Sequence, residues 1–542
     1  MSTSMREDAR ALLAEARDAY AGDATALGVL DELDRRLAEP LRLALAGMVK
    51  AGKSTLLNAM LGEQIAPTDA GECTKVVTWY RHSMTPTITL HLRSGQTRRM
   101  PVRRDDGRLV LDLGDTVAED VSWIDVGWPL DALKSVILID TPGIASLSAS
   151  TSARAATFLA PEESASGADA VVYLLRHLHP SDVKFLEAFR DTAAGAAQTI
   201  CAVGVLSRAD EIGSGRIDSL LSAGKVARRY ARDSSLASLL LGVIPVAGLL
   251  AEGARTLRER EYAAFRELAG LERADRERLL VSADRFVRDT ALTTLGADER
   301  AALLERFGIF GVRLATALIR GGARTSSDLS RELVEQSGLI PLQQFVRDQF
   351  RTREATLKVR GVLLGLERLI DERPVAGAVV IRAGIERLSA GAHALRELSL
   401  LATARAEGLP LAAPDAAQAV AIIGGDGTPA TTRLGLTEDA GTEAVRQRAL
   451  VQLDHWRRLS DSPLTDRAAV AVCRVVIRSL EAIVSEVPEG GGVGSVADVV
   501  TPGGPGDRSG ERADEESEHD ESALSGEHGK ERLAALADRD DL

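Results

Sequence analysis

Eight residues constrain this chain more tightly than any others: Gly47-Met48-Val49-Lys50-Ala51-Gly52-Lys53-Ser54. The glycines let the backbone wrap a chain of phosphates with its N–H groups pointing inward, and a helix that follows adds the positive end of its dipole. Lys53 is expected to reach the β- and γ-phosphates, and the Ser54 hydroxyl to coordinate Mg²⁺. The pattern carries this meaning only between a strand and a helix. Both flanks comply: Leu41-Arg-Leu-Ala-Leu-Ala46 reads as a buried strand and Thr55-Leu-Leu-Asn-Ala-Met-Leu61 as a helix. Gly47, Lys50, Ala51, Gly52, Lys53, Ser54 and Thr55 are thus the expected phosphate-side nucleotide-binding residues.

Four further elements extend the pattern. Val136-Ile-Leu-Ile-Asp140-Thr141-Pro142-Gly143 is an apolar run that ends in an aspartate. A carboxylate there can hold Mg²⁺ through water, and Gly143 can offer its N–H to the γ-phosphate. In Gly204-Val-Leu-Ser207-Arg208-Ala209-Asp210, the last carboxylate can accept two hydrogen bonds from the N1–H and N2–H₂ edge of guanine, a donor pair that adenine lacks. Ser207 and Arg208 stand where GTP-binding proteins usually carry Asn/Thr-Lys; Arg208 can still lay its planar guanidinium along the base. Thr74, 20 residues after Ser54, is expected to bring its hydroxyl to Mg²⁺ and its N–H to the γ-phosphate. Val243-Ile-Pro-Val-Ala247-Gly248 reads as a late strand, with the N–H of Ala247 available to guanine O6. Each element alone also reads as an ordinary strand end or turn. Five in this order predict a GTP-hydrolysing enzyme with Mg²⁺ as cofactor: Lys53 and Thr74 are catalytic candidates, and Ser54, Thr74 and Asp140 the metal site.

The texture along the chain predicts two kinds of architecture. From Leu41 to about Leu250, short apolar runs alternate with helical segments: Leu41–Ala46, Val76–Tyr80, Thr87–Leu92, Val121–Val126, Ser135–Ile139, Ala168–Leu175, Thr199–Leu206 and Val243–Val246. Runs without polar alternation fit strands buried on both faces of a mostly parallel sheet. Asp105-Asp106-Gly107 is a hairpin signal at one edge of that sheet. Beyond Leu250 strand signals nearly vanish. Glu261–Leu303, Phe307–Ile319, Leu329–Gln336, Leu342–Ile370, Val375–Ala406, Thr442–Leu459 and Thr465–Val487 read as helices. The fold class expected is therefore an α/β P-loop GTPase domain, a mostly parallel sheet with helices on both faces, plus an elongated all-α bundle. The expected divisions are 1–38, N-terminal helices joining the bundle; 39–255, the GTPase domain; 256–487, the bundle; and 488–542, a disordered acidic tail.

Charge and composition narrow the partners. The formal charge of −13 is concentrated at the end: from Pro488 onward there are 15 acidic and 5 basic residues. The body shows no basic stripe with interleaved aromatics, so nucleic acid is not an expected partner. The three cysteines match no metal-ligand spacing and fit a reducing, cytoplasmic compartment. No apolar run reaches the roughly 18–20 residues that span a bilayer, so membrane contact is expected to be peripheral. Two segments are candidates for it: Gly408–Glu438, with Ala419-Val-Ala-Ile-Ile423, and Pro374-Val-Ala-Gly-Ala-Val-Val-Ile381. Neither has Trp or Tyr anchors, and each also reads as a plain loop or buried turn.

The order of elements resembles the Ras-like translation-factor branch of GTPases, and more closely the dynamin family in its bacterial form. The resemblance rests on Gly47–Glu63, on Val121-Ser-Trp-Ile-Asp-Val-Gly-Trp-Pro-Leu130 through Asp140-Thr-Pro-Gly143, and on a helix before and a long helical region after the nucleotide domain. Glu305-Arg-Phe-Gly-Ile-Phe-Gly-Val-Arg313 and Ser337-Gly-Leu-Ile-Pro341 resemble the actinobacterial group that includes the isoniazid-inducible proteins. The resemblance implies GTP hydrolysis coupled to membrane remodelling, with homo- or heterodimers formed through GTPase domains and a helical stalk whose tip touches lipid on the inner face of the cell membrane. One departure stands out. Dynamins commonly carry Gln-Ser where this chain has Val49-Lys50; valine cannot orient water, and Lys50 could supply the charge of the monovalent cation that the Ser helps to hold, which makes it a third catalytic candidate. Two other readings compete: a switch of the ribosome- or RNA-assembly type, against which the long helical region and the thin basic charge speak, and a scaffold that binds nucleotide but hardly turns it over.

Overall fold

The computed structural model describes residues 2–68, 76–105, 107–143, 167–194, 201–212, 215–406 and 408–486. The apolar runs between residues 41 and 246 form strands β1 Leu41–Gly47, β2 Val77–His82, β3 Thr87–Leu92, β4 Thr97–Met100, β5 Arg103–Asp105, β6 Arg108–Val110, β7 Val121–Trp128, β8 Val136–Asp140, β9 Ala170–Leu175, β10 Ala202–Ser207 and β11 Val243–Val246. Nine of them make one sheet in the order β11-β10-β9-β1-β8-β2-β7-β3-β4. Every residue of β1, β9 and β10 is buried, as expected when both faces of a parallel strand are covered.

The sheet is parallel where the site lies. β1 pairs in parallel with β8 and β9, β10 with β9, and β11 with β10. Leu45 lies opposite Asp140, Gly47 opposite Leu174, and Ser207 opposite Val246. The carboxyl ends of five strands therefore meet at one edge, where ligands of open α/β sheets bind. The far edge is different: β3 runs antiparallel to β7 and β4, and β2 antiparallel to β8. The β3–β4 connection is too short for a parallel crossover and turns at Gly95, whose φ is +82°. The Asp-Asp-Gly hairpin is present as the separate β5–β6 pair, with Asp105 opposite Arg108.

Three further cores are helical. The first packs Leu250 and Ala254 of the Gly248–Arg255 helix against Phe265, Phe286, Phe307 and Leu329 from the helices that follow it. The second joins Leu13 and Leu30 of the N-terminal helices Ser2–Ala19 and Ala24–Ala38 to Leu366 and Ile385. The third gathers Trp456, Val476 and Leu480 from the last two helices. A buried ionic cluster fastens the sheet to the second of these. Asp169 accepts from Arg36 at 2.8 Å, from the Lys358 ammonium at 3.2 Å and from the Arg42 amide at 2.9 Å. Burial opposes its ionisation, yet Arg36 and Lys358 hold the Asp169 carboxyl well below the usual carboxylate range.

The helical pattern is cut more finely than periodicity predicts. Glu261–Leu303 is divided into Glu259–Gly270, Arg273–Leu279, Ala283–Val287 and the start of Ala297–Gly321. Between Val287 and Ala297, side-chain bonds hold the chain out of helix. Glu267 accepts the Thr294 amide at 2.6 Å and the Thr294 hydroxyl at 2.7 Å, and Glu299 takes the Gly296 amide at 2.8 Å. These bonds compete with continued helix. The connection Gly408–Glu438 is also not the apolar loop offered as a lipid contact. It contains the helix Ala413–Ile422, and Ala419, Ile422 and Ile423 lie at most 1% exposed in the Trp456 core. In the other candidate, Val379 and Val380 are 78% and 60% exposed. The acidic tail expected from Pro488 lies outside the described residues. Among the described residues no helix is long and apolar enough to cross a membrane.

Candidate nucleotide-binding site

The loop after β1 is shaped by three left-handed residues. Gly47 leaves the strand with φ +144°, and a Cβ there would fall 2.6 Å from the Leu174 carbonyl oxygen, so only glycine fits. Lys50 has φ +62°, and Gly52, at +92°, caps the helix Lys53–Leu61. Lys53 is buried beneath the loop and donates to the carbonyls of Gly47 at 3.3 Å and Met48 at 3.2 Å. Burial pushes its ammonium pKa down, and Asp140 opposes that shift.

Asp140 ends β8 directly beside this loop. Its Oδ2 accepts the Ser54 hydroxyl at 2.6 Å, while its buried Oδ1 has no hydrogen-bond partner. Burial pushes this carboxyl up, against the pull of Lys53 and Ser54. An unsatisfied buried carboxylate oxygen beside a hydroxyl is a donor set suited to a hard cation such as Mg²⁺. Gly143 reaches the same place from the other side: a Cβ on it would lie 2.5 Å from Val49 Cγ2 and 2.8 Å from Val49 Cα. Thr74 lies outside the described residues.

A cavity of about 140 Å³ opens next to the loop, lined by Ala51, Gly52, Thr55, Ser207, Arg208 and Asp210 among others. The Ser207 hydroxyl donates to the Leu175 carbonyl at 3.1 Å, tying β10 to β9. Arg208, left-handed at φ +51°, donates to the Lys50 carbonyl at 3.2 Å and to Glu211 at 2.7 Å. Burial pushes the Asp210 carboxyl up, with Glu211 adding to the shift. Ala247 stands back from the cavity, its amide donating to the Ser337 carbonyl at 2.9 Å. Gly248 and Leu249 line the cavity in its place, together with Leu56 and Glu211. None of these four was among the residues expected from the sequence. Glu211 carried a signal, an acid three positions after Arg208; the apolar liners carried none.

The sequence model of the Dynamin family matches residues 43–187, which contain the loop and Asp140. Isoniazid-induced protein IniC of Mycobacterium tuberculosis is 42% identical over 457 residues, covering 84% of this chain and 92% of that protein. This chain belongs to the bacterial dynamin-like family. A bacterial dynamin-like protein of Nostoc punctiforme is 30% identical over 114 residues, 19% of this chain and 16% of its own length. A solved oligomerised bacterial dynamin pair aligns over 89% of this chain and 79% of its own, at 13% identity and a TM-score of 0.29. The family is one of GTPases. In this dynamin-like chain the two loop positions that depart from the family's usual Gln-Ser have distinct surroundings. Val49 is 45% exposed and packs against Gly143. Lys50 is exposed, with its backbone held by Arg208.

Proposed function

We propose that this dynamin-like protein binds and hydrolyses GTP with Mg²⁺, coupling pairing of GTPase domains and movement of the helical region to membrane remodelling or maintenance. The observation that carries the proposal is the meeting of Lys53, Ser54 and Asp140, with its orphaned Oδ1, at the end of the sheet where the cavity also opens. The loop N–H groups and Lys53 would bind the β- and γ-phosphates, and Asp210 would read the guanine edge. Mg²⁺, held by Ser54 with Asp140 behind it, would neutralise charge on those phosphates. Thr74 would close over the triphosphate, and Gly143 would offer its N–H to the γ-phosphate.

For the membrane step the supporting observation is the outward-facing pair Val379 and Val380 at the start of the helix Ala378–Gly391. GTP turnover per molecule is expected to rise with protein concentration and with liposomes, as pairing at a surface requires. In flotation, Val379→Asp with Val380→Asp should leave the protein at the bottom of the gradient while soluble GTP turnover stays intact. Turnover independent of both concentration and liposomes would sink the coupling. Equal flotation of the double variant would remove this valine pair from it.

A further inference from the structure

The helix Ala297–Gly321 follows the nucleotide-binding sheet in the chain, yet its middle lies against the base side of the cavity. It breaks at Gly308, with φ +65° and ψ 170°, a combination essentially confined to glycine. A Cβ at Gly308 would stand 3.8 Å from Asp210 Oδ2 and 3.8 Å from Leu249, which lines the cavity. Farther along the same helix, Arg313 Nη1 donates to the Gly215 carbonyl at 2.6 Å, in the loop that leads away from Asp210. Its Nε donates to the Leu280 carbonyl at 2.9 Å and its Nη2 to the Val281 carbonyl at 2.9 Å. Gly215 is itself left-handed at φ +69°. A Cβ on it would lie 3.2 Å from Ile309 Cγ2 and 3.8 Å from the Asp210 carbonyl oxygen.

We propose that Arg313 is a positioning residue for base selection, pinning Gly215, which lies against the Asp210 carbonyl, to the Leu280–Val281 turn. The proposal rests on the reading that Asp210 faces guanine. A planar guanidinium is suited to this task because its donors form a fixed fork, and here they reach three carbonyls from two segments. The kink at Gly308 lets the helix come this close without a side chain in front of the Asp210 carboxylate. Selection of the base then depends on a helix outside the sheet, and any movement of that helix is felt at Asp210.

The test compares GTP with ITP, which lacks the 2-amino group and shares every phosphate contact. Competition against a fluorescent GTP analogue on the full chain should show wild type preferring GTP by about 10-fold, one charge-assisted hydrogen bond. Arg313→Ala should bring that ratio close to one, with GTP affinity falling further than ITP affinity, because inosine keeps N1–H and loses only that one bond. Arg313→Lys, which keeps the charge but loses the fork, should fall between. If Arg313→Ala melts below the assay temperature, Arg313→Lys carries the same comparison. A parallel loss for both nucleotides, or an unchanged ratio in both variants, overturns the proposal. A wild type that binds GTP and ITP equally refutes the base-reading role of Asp210 itself, and the proposal with it.

Discussion

The two sides of the proposed nucleotide site are assembled in opposite ways. The phosphate side comes mostly from one contiguous loop, Gly47–Ser54, whose three left-handed residues are set by local backbone geometry. Among the described residues, Asp140 and Gly143 join it from elsewhere. The base side is drawn from β10, the turn at Arg208–Glu211, the exit of β11 and a helix near Gly308. Arg208 bridges to the phosphate side by a hydrogen bond to the Lys50 carbonyl, between residues 158 apart, and Gly248 packs close to Thr55 and Leu56. A loop folded by its own backbone tolerates change around it. A wall built from separate segments shifts when any one of them does. The phosphate side should therefore control whether chemistry happens, and the base side which nucleotide arrives.

The largest expected effect tests that division on the phosphate side. Lys53→Ala removes the buried cation under the loop, and turnover should fall by about 10²–10³-fold, as for loss of a fixed charge-stabilising donor. Preference for guanine should survive in whatever nucleotide still binds. Turnover within a few-fold of wild type would break the assignment of the loop as the hydrolytic centre.

A smaller effect is expected on the base side. Asp210→Asn exchanges an acceptor for an amide, which suits xanthine better than guanine. GTP affinity should drop by about 10–100-fold, the cost of the lost charged hydrogen bonds, while XTP affinity rises and maximal turnover at saturating XTP stays near the parent value. Competition binding with the two nucleotides reads it directly. A variant that still prefers GTP removes Asp210 from base reading, and the two sides would then differ only in construction.

The same contrast explains what could be read from the sequence. Thr87–Leu92 and Val243–Val246 are strands over the residues expected, and the loop at Gly47 is where its motif places it. These features depend on near neighbours in the chain. The break before Ala297 does not, because Glu267 reaches Thr294, 27 residues on, to hold the chain out of helix. Ala247 shows the same limit in the site. Its position after β11 follows from the sequence, but the partner of its amide, Ser337, is fixed by how distant helices dock. The close approach behind that docking is Gly338, whose left-handed φ of +80° brings it against Pro245 of β11. A periodic pattern cannot show such a contact. Ile422 and Ile423 are equally ambiguous: an apolar run between helices reads alike whether it meets lipid or, as here, joins the core that holds Trp456.

Lys50 sits where the two sides join, and it carries the smallest expected effect. Its carbonyl accepts from Arg208 on the proposed base side, and its left-handed backbone turns the loop between Gly47 and Gly52. On the reading proposed here its ammonium would supply the charge of the monovalent cation that dynamins commonly hold at this position. That ammonium is exposed and screened by solvent, so it can supply only a modest part of the stabilisation. Lys50→Ala should lower turnover about two- to five-fold in sodium-only buffer, with GTP affinity nearly unchanged. Wild type should turn over equally in sodium and potassium, because its cation is covalently attached. Equal turnover of variant and parent in potassium-free buffer would show that the lysine contributes only its backbone, through Arg208. The link between the two sides would then be structural, and the group that replaces the family's glutamine and serine would have to come from outside this loop.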